Sequence, residues 1–350
     1  MAAGRRIAIL GAGSVGCFIG GAWASAGIPV SFIGRPRIAH EVRDFGLTLT
    51  DFSGWKATLS PGQVDYSCIP DALGGAAVVV VCVKSGATAD AARDIARHAD
   101  EGALVISFQN GVSNVELLRA ALGHRFAVVQ AMVPFNVAHL GEGRFHKGVA
   151  GQLFADDRSE MRALATAIAT AFATVFPTRP GTAPATLRLS HDMVGMMWGK
   201  LLINLNNAIN ALSGQTLMEE LTQRDYRRVF ACAMREGLGL LRSAGIKPAK
   251  IGPIAPRLLP MVIGSPDWLF NRVFIKRWKI DAHARSSMAD DLEQGRTTEI
   301  DVLNGELVRL AGRIGRDAPI NARIVELVRR AEAGAPPWSA AALRRQVLGL

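Results

Sequence analysis

A glycine pattern near the N-terminus limits the folds open to this chain more than any other feature. Gly11-Ala12-Gly13-Ser14-Val15-Gly16 lies between a short apolar stretch, Arg6 to Leu10, and a run of small residues ending near Ala26-Gly27. This is GxGxxG in the order strand, turn, helix. The first glycine permits the tight turn, the second lets a pyrophosphate approach the backbone, and the third lets the helix pack on the strand with its N-terminus facing the phosphates. Alone the pattern would be weak, but a second strand, Val30 to Ile33, follows at the right distance. The expectation is an α/β chain that opens with a Rossmann-type, doubly wound sheet. Where NAD-binding chains place an acid for the ribose, this one reads Gly34-Arg35-Pro36-Arg37. A planar guanidinium pairs with a 2′-phosphate that an acid would repel, so Arg35 predicts NADP rather than NAD. An arginine simply solvated in a loop is the alternative.

Downstream, Val78 to Val83 has the continuous apolar character of a strand buried on both faces, and it delivers Lys84 at its end. Ala103 to Phe108 repeats the pattern and delivers Gln109-Asn110-Gly111. Ligands of open α/β sheets sit outside the carboxyl ends of the strands, which makes Lys84 and Asn110 candidates for the nicotinamide side of the cofactor. Asn-Gly is also a turn signal, and both readings stand. Further strands are expected over Phe126 to Val133 and in the glycine-punctuated stretch 141–154. A helix should span Arg158 to Thr174, and the proline-bearing stretch Pro177 to Pro184 reads as a linker. The expected division is a dinucleotide-binding domain over 1–183 and a helical substrate domain over 184–350.

From about Leu187 helical periodicity dominates, and the first long helix should contain Trp198 to Asn207. At about 100° per residue, Lys200, Asn204 and Asn207 fall within roughly 60° of one another, while Leu201, Leu202 and Leu205 point elsewhere. A solvent-exposed stripe would explain a polar face, but such stripes carry several charges rather than one lysine among asparagines. Further on, Ser286 to Leu292 should form a helix that stops at Gly295, with Thr298 capping a new one and Asp301 three residues later. The break matters: in one continuous helix Ser287 and Glu299 would stand about 18 Å apart and could not share a small ligand. Glu299 near a helix start is also an ordinary partner for the helix dipole.

With 350 residues and 49% hydrophobic content the chain can fill two cores. Its 40 basic and 30 acidic residues give a formal charge of +10. The basic residues are scattered without a zinc-finger, RNP or heptad pattern, so nucleic acid is not the expected partner, while an excess of positive charge suits anionic ligands. The four cysteines form no CxxC pair, which fits a reducing cytoplasm, and no metal site is expected. Arg5-Arg6 before an apolar stretch mimics an export signal, but the glycine spacing inside that stretch argues otherwise. No apolar run approaches the roughly 20 residues of a membrane span.

Taken together, the motifs resemble those of 2-dehydropantoate 2-reductases, also called ketopantoate reductases, along nearly the whole chain. They are Gly11 to Gly16, Lys84, Asn110-Gly111, Trp198-Gly199-Lys200-Leu201 with Asn204, Ser286-Ser287-Met288, and Thr298 to Asp301 with Asn304-Gly305. The resemblance implies a Rossmann domain joined to an all-helical domain of the 6-phosphogluconate dehydrogenase type, with the active site in the cleft between them. It implies NADPH-dependent reduction of ketopantoate to pantoate, a step of pantothenate and coenzyme A biosynthesis. Lys200 would be the catalytic acid and Glu299 its assistant. Asn204 and Ser287 would hold the substrate, and Lys84 and Asn110 would line the cofactor side. A protonated lysine suits the role, since it can donate a hydrogen bond to the ketone oxygen and then surrender its proton.

Two departures bear on the substrate. The family often has a second asparagine four residues after the one matching Asn204. This chain has Ala208 there and Asn207 beside it, which can serve instead. The segment Lys247 to Ile280, rich in proline and aromatic residues, exceeds its length in compact relatives and would act as a lid, a dimer contact or a pocket wall. The alternatives are a reductase of a different 2-oxo acid and a non-catalytic NADPH-binding regulator. The sequence sets no oligomeric state, although an apolar helical domain is compatible with a homodimer.

Overall fold

Strand β1 (Ile7–Leu10) is buried along its whole length and hydrogen-bonds on both edges to parallel neighbours. These are β2 (Val30–Ile33) on one side and, on the other, β6 (Val78–Val81), which is four valines. Such runs survive only where both faces of a sheet are covered. Their side chains alternate between two cores. Ile7, Ile9, Val78, Val80 and Ile106 pack with Phe18 and Trp23 of the helix Ser14–Ser25. Ala8, Leu10, Val79, Val81 and Val105 pack with Ile95 and Leu118 of the helices Thr88–His98 and Asn114–Leu122 on the other face. The chain is thus a doubly wound α/β fold at its N-terminal end.

The computed structural model describes residues 6–176, 184–275 and 284–349. It divides into two compact units, Met1–Met193 and Val194–Leu350. The remaining strands of the first unit are β3 (Leu47–Asp51), β4 (Lys56–Leu59), β5 (Asp65–Ser67), β7 (Leu104–Ser107), β8 (Ala127–Met132), β9 (Val137–His139), β10 (Arg144–Lys147), β11 (Leu153–Asp156) and β12 (Leu187–Ser190). The main sheet runs β12-β11-β8-β7-β6-β1-β2-β5, and a smaller one runs β4-β3-β10-β9. From β8 to β5 all strands of the main sheet are parallel, and β11 reverses against β8.

Strand β12 corrects the expectation that helix begins near Leu187. Leu187 pairs with Leu153 and extends the sheet, because a four-residue Leu-Arg-Leu-Ser alternation suits an edge strand and is too short to declare a helical period. The unit boundary accordingly falls after Met193 rather than after residue 183. Residues 177–183 of the anticipated linker lie outside the described residues.

The second unit is built of helices. The longest, Arg224–Ser243, buries Tyr226, Val229, Phe230, Met234, Leu240 and Leu241 along one face, the 3.6-residue pattern of a core helix. Helices Asn206–Ser213, Asn304–Arg313 and Pro319–Glu332 add Ile209, Leu212, Leu307, Leu310, Ile324 and Leu327 to the buried set. Among the described residues no helix is long and apolar enough to cross a membrane.

Candidate active site

The glycine turn has the geometry its sequence requires. Gly11 has φ +95°, and a Cβ there would lie 2.4 Å from the Val83 amide nitrogen, so only glycine fits. A Cβ on Gly13, by contrast, would meet nothing within 4 Å. Gly13 therefore borders open space at the start of the helix Ser14–Ser25, which no side chain caps. An open backbone at an uncapped helix N-terminus is a ready site for a pyrophosphate. Ala12, Ser14, Val15 and Gly16 complete the turn, with Gly11 and Ala12 both donating to the Ile33 carbonyl at 2.9 Å. Arg35 follows β2 as the exposed N-cap residue of the helix Pro36–Phe45. It stands at the carboxyl end of the strand, where a ribose phosphate would be recognised.

Lys84 and Asn110 are both half-buried and leave the ends of adjacent strands, β6 and β7. A buried polar network joins their loops. Gln109 Nε2 donates to the Val83 carbonyl at 3.1 Å and to Thr88 Oγ1 at 2.7 Å. Asn114 Nδ2 donates to the Asn110 carbonyl at 2.6 Å and to Ser85 Oγ at 2.9 Å, while Thr88 Oγ1 donates to Asn114 Oδ1 at 3.0 Å. Gln109, Thr88 and Asn114 are almost wholly buried. Sequence reasoning gave none of them a role, because only the pairing of β6 with β7 brings them together.

In the helical unit the expected long helix is interrupted. One helix spans Met193–Asn204, and after Leu205 a second begins at Asn206. Lys200, Asn204 and Asn207 are nevertheless all half-buried, whereas Leu201, Leu202 and Leu205 are in the core. Ala208 is fully buried, so the position four residues after Asn204 lines no open surface.

The break anticipated between Ser287 and Glu299 is present. Ser287 opens the helix Ser287–Glu293, Gly295 takes φ +62°, and Arg296 folds back to pair with Asp291 at 2.8 Å. Glu299 is half-buried, and its negative charge acts on Lys200. Burial lowers the proton affinity of Lys200 more than Glu299 raises it, leaving the ammonium with a pKa of about 8. The capping expected of Thr298 takes a tighter form: its hydroxyl accepts from the Ile300 amide at 3.2 Å ahead of a 3₁₀ turn, Ile300–Val302, and the helix starts only at Asn304. Asp301 pairs with Arg329 instead.

The segment after Lys247 runs beside Lys200. The Ala249 amide donates to the Gly195 carbonyl at 2.7 Å, and a Cβ on Gly199 would lie 2.3 Å from the Ala249 carbonyl oxygen. Gly199 thus makes room for the segment one residue before Lys200. Farther along, fully buried Arg227 donates to the carbonyls of Ile263 and Ser265 at 2.8 Å, pairs with Asp267 and lies 4.1 Å over the Phe270 ring. Residues 276–280 of the segment lie outside the described residues.

Comparison with known proteins fits this geometry. A family model described as ketopantoate reductase PanE/ApbA matches residues 7–158, and one for the C-terminal part of the same family matches 192–332. A crystal structure of a PanE/ApbA family ketopantoate reductase from Ralstonia eutropha JMP134 is 30% identical, with TM-score 0.77 over 94% of this chain and 99% of that one. The 2-dehydropantoate 2-reductase of Halobacterium salinarum is 26% identical over 93% of this chain and 99% of its own length. A ternary structure of D-mandelate dehydrogenase with NADH and anilino(oxo)acetate, 17% identical, shares the fold at TM-score 0.72 over 94% of this chain and 99% of that one.

Proposed function

The chain belongs to the ketopantoate reductase family, a family of NAD(P)-dependent oxidoreductases, and from that premise we propose that it uses NADPH to reduce 2-dehydropantoate to pantoate. The observation that carries this reading is half-buried Lys200, on which the charge of Glu299 acts, in a helix that also carries half-buried Asn204, with half-buried Asn207 in the next helix.

The residues of the first unit suit the cofactor. The open backbone at Gly13 and the helix that follows would take the pyrophosphate, Arg35 the 2′-phosphate, and Lys84 and Asn110 the nicotinamide ribose side. When bound, the reduced nicotinamide supplies the hydride. Lys200 meets the ketone oxygen with an N–H donor, stabilises the negative charge that develops there, and passes its proton to the alkoxide. Glu299 keeps the ammonium charged despite its burial. Asn204, Asn207 and Ser287 hold the carboxylate and hydroxyl of the substrate. A pKa of about 8 matches the task, because such a lysine is mostly protonated at neutral pH yet gives up its proton readily.

A second reading, reduction of a different 2-oxo acid, draws on buried Ala208 and on the segment beside Gly199. Steady-state turnover of ketopantoate against a panel of branched, linear and aromatic 2-oxo acids, followed by NADPH absorbance, decides between them. Ketopantoate should give the highest kcat/KM. A tenfold preference for another acid would transfer the assignment to the second reading.

A further inference from the structure

The helical unit contains a buried clasp that none of the proposed substrate or catalytic contacts requires. Asn210 has no solvent exposure, and its Oδ1 accepts a hydrogen bond from the Ser286 amide at 2.9 Å, across 76 residues of sequence. Its Nδ2 donates to the Gln215 carbonyl at 3.1 Å, which fixes the orientation of the amide. Ser286 is itself buried, and its hydroxyl donates to the Asn207 carbonyl at 3.1 Å. The same oxygen accepts from the Ala289 amide at 3.1 Å and so caps the helix that begins at Ser287. Leu217 adds a third tie by donating to the Ala284 carbonyl at 2.8 Å.

Ser286 therefore touches the backbone of Asn207 on one side and precedes Ser287 on the other. Asn207 is half-buried and Ser287 exposed, and the clasp holds the backbone of Asn207 and the start of the helix that Ser287 opens. Asparagine and serine inside a core are costly unless every hydrogen bond is made, and burying an apolar pair there would hold the helices as well. Directional bonds set a spacing more narrowly than apolar packing does.

We propose that Asn210 and Ser286 are positioning residues that fix the separation of Asn207 and Ser287, and through it the length of the 2-oxo acid the enzyme accepts. The proposal rests on the reading of Asn207 and Ser287 as substrate contacts.

The test is steady-state kinetics of Ser286→Ala, Ser286→Thr and Asn210→Ala with 2-oxo acids of increasing chain length, beside NADPH titration and thermal unfolding of each variant. Ser286→Ala and Asn210→Ala should raise KM for the preferred acid about tenfold or more and flatten the dependence on chain length. The kcat and its alkaline pKa should stay within about twofold and 0.3 units, and NADPH affinity should hold. Ser286→Thr, which keeps both the cap and the hydroxyl donor, should restore KM and the chain-length profile. An unchanged KM in both folded alanine variants would overturn the proposal, as would a parallel loss of kcat and NADPH affinity that threonine does not rescue. Asn207→Ala and Ser287→Ala serve as controls: if these also leave KM unchanged, it is the substrate-site reading that fails.

Discussion

The charge of Glu299 raises the proton affinity of Lys200 while burial of the lysine lowers it, and burial is the larger effect. The balance sets the pKa near 8, well below the 10.5 of a free lysine. Neither residue alone would be suited to the work. A fully hydrated lysine holds its proton too tightly to release it quickly, and a buried lysine with no acid nearby would lose its charge at neutral pH.

The pH dependence follows with a definite sign. With Lys200 as the proton donor proposed above, kcat should fall as pH rises through about 8. Glu299→Gln removes the charge that favours the ammonium, and the alkaline limb should move to lower pH by about one unit. The measurement is kcat from pH 6 to 10 for both enzymes. A limb that moved to higher pH, or stayed fixed, would separate Glu299 from Lys200.

Cofactor choice should reside in Arg35. Arg35→Ala should weaken NADPH by roughly tenfold or more while leaving NADH nearly unchanged, since a charge-assisted pair to the 2′-phosphate is worth on the order of 1.5–3 kcal/mol. Fluorescence titration with both cofactors checks this, and equal losses for the two would remove Arg35 from the phosphate site.

Arg227 secures the segment that passes beside Gly199. Arg227→Met keeps the apolar stem but abandons the carbonyls of Ile263 and Ser265 and the carboxylate of Asp267. Stability should fall by about 2–4 kcal/mol, and limited proteolysis should open new sites between Leu259 and Leu269. If the segment forms a wall of the substrate pocket, KM for the 2-oxo acid should rise with NADPH affinity unchanged.

Much of this was legible in the sequence where the cause is local. The glycine turn, the valine strand β6 and the break at Gly295 announce themselves, since each depends on a few adjacent residues. Strand β12 did not, because Leu187–Ser190 becomes a strand only by pairing with β11. The smaller sheet escaped for the same reason: β3 pairs with β10 across nearly a hundred residues. Lys200 stood out as a charge on an otherwise neutral face, whereas Asn210 and Ser286 look like ordinary polar residues until the fold buries them against each other.

Glu220 predicts a stability effect remote from catalysis. It is fully buried, accepts from Asn206 Nδ2 at 2.9 Å, and has its pKa raised to about 8 by burial against the opposing influence of Asn206, Asn210 and Arg227. The folded pKa lies above the ordinary 4.5, so its contribution to stability is complete below pH 4.5 and is lost as pH rises through about 8. Glu220→Gln should match the parent near pH 5 and exceed its Tm at pH 8.5. Parallel Tm curves for the two proteins across that range would show that Glu220 ionises without penalty.

Lys200 should display the opposite trade between stability and activity. Lys200→Met keeps most of the side-chain volume and removes an ammonium that burial disfavours, so the folded state at pH 7 should gain on the order of 1–3 kcal/mol. The shift is a depression, from 10.5 to about 8, so the penalty is present below pH 8 and disappears above pH 10.5; the gain from methionine should fade over the same window. Turnover should fall by roughly 10²–10⁴-fold, the usual loss for a positioned general acid, with NADPH affinity within a few-fold. Combining Lys200→Met with Glu299→Gln should cost less than the product of the single losses, because the two groups act as a unit. Steady-state kinetics, cofactor titration and thermal unfolding of the three variants decide the matter. A stable Lys200→Met enzyme with near-normal turnover would place the proton donor on another residue, whatever the cofactor data showed.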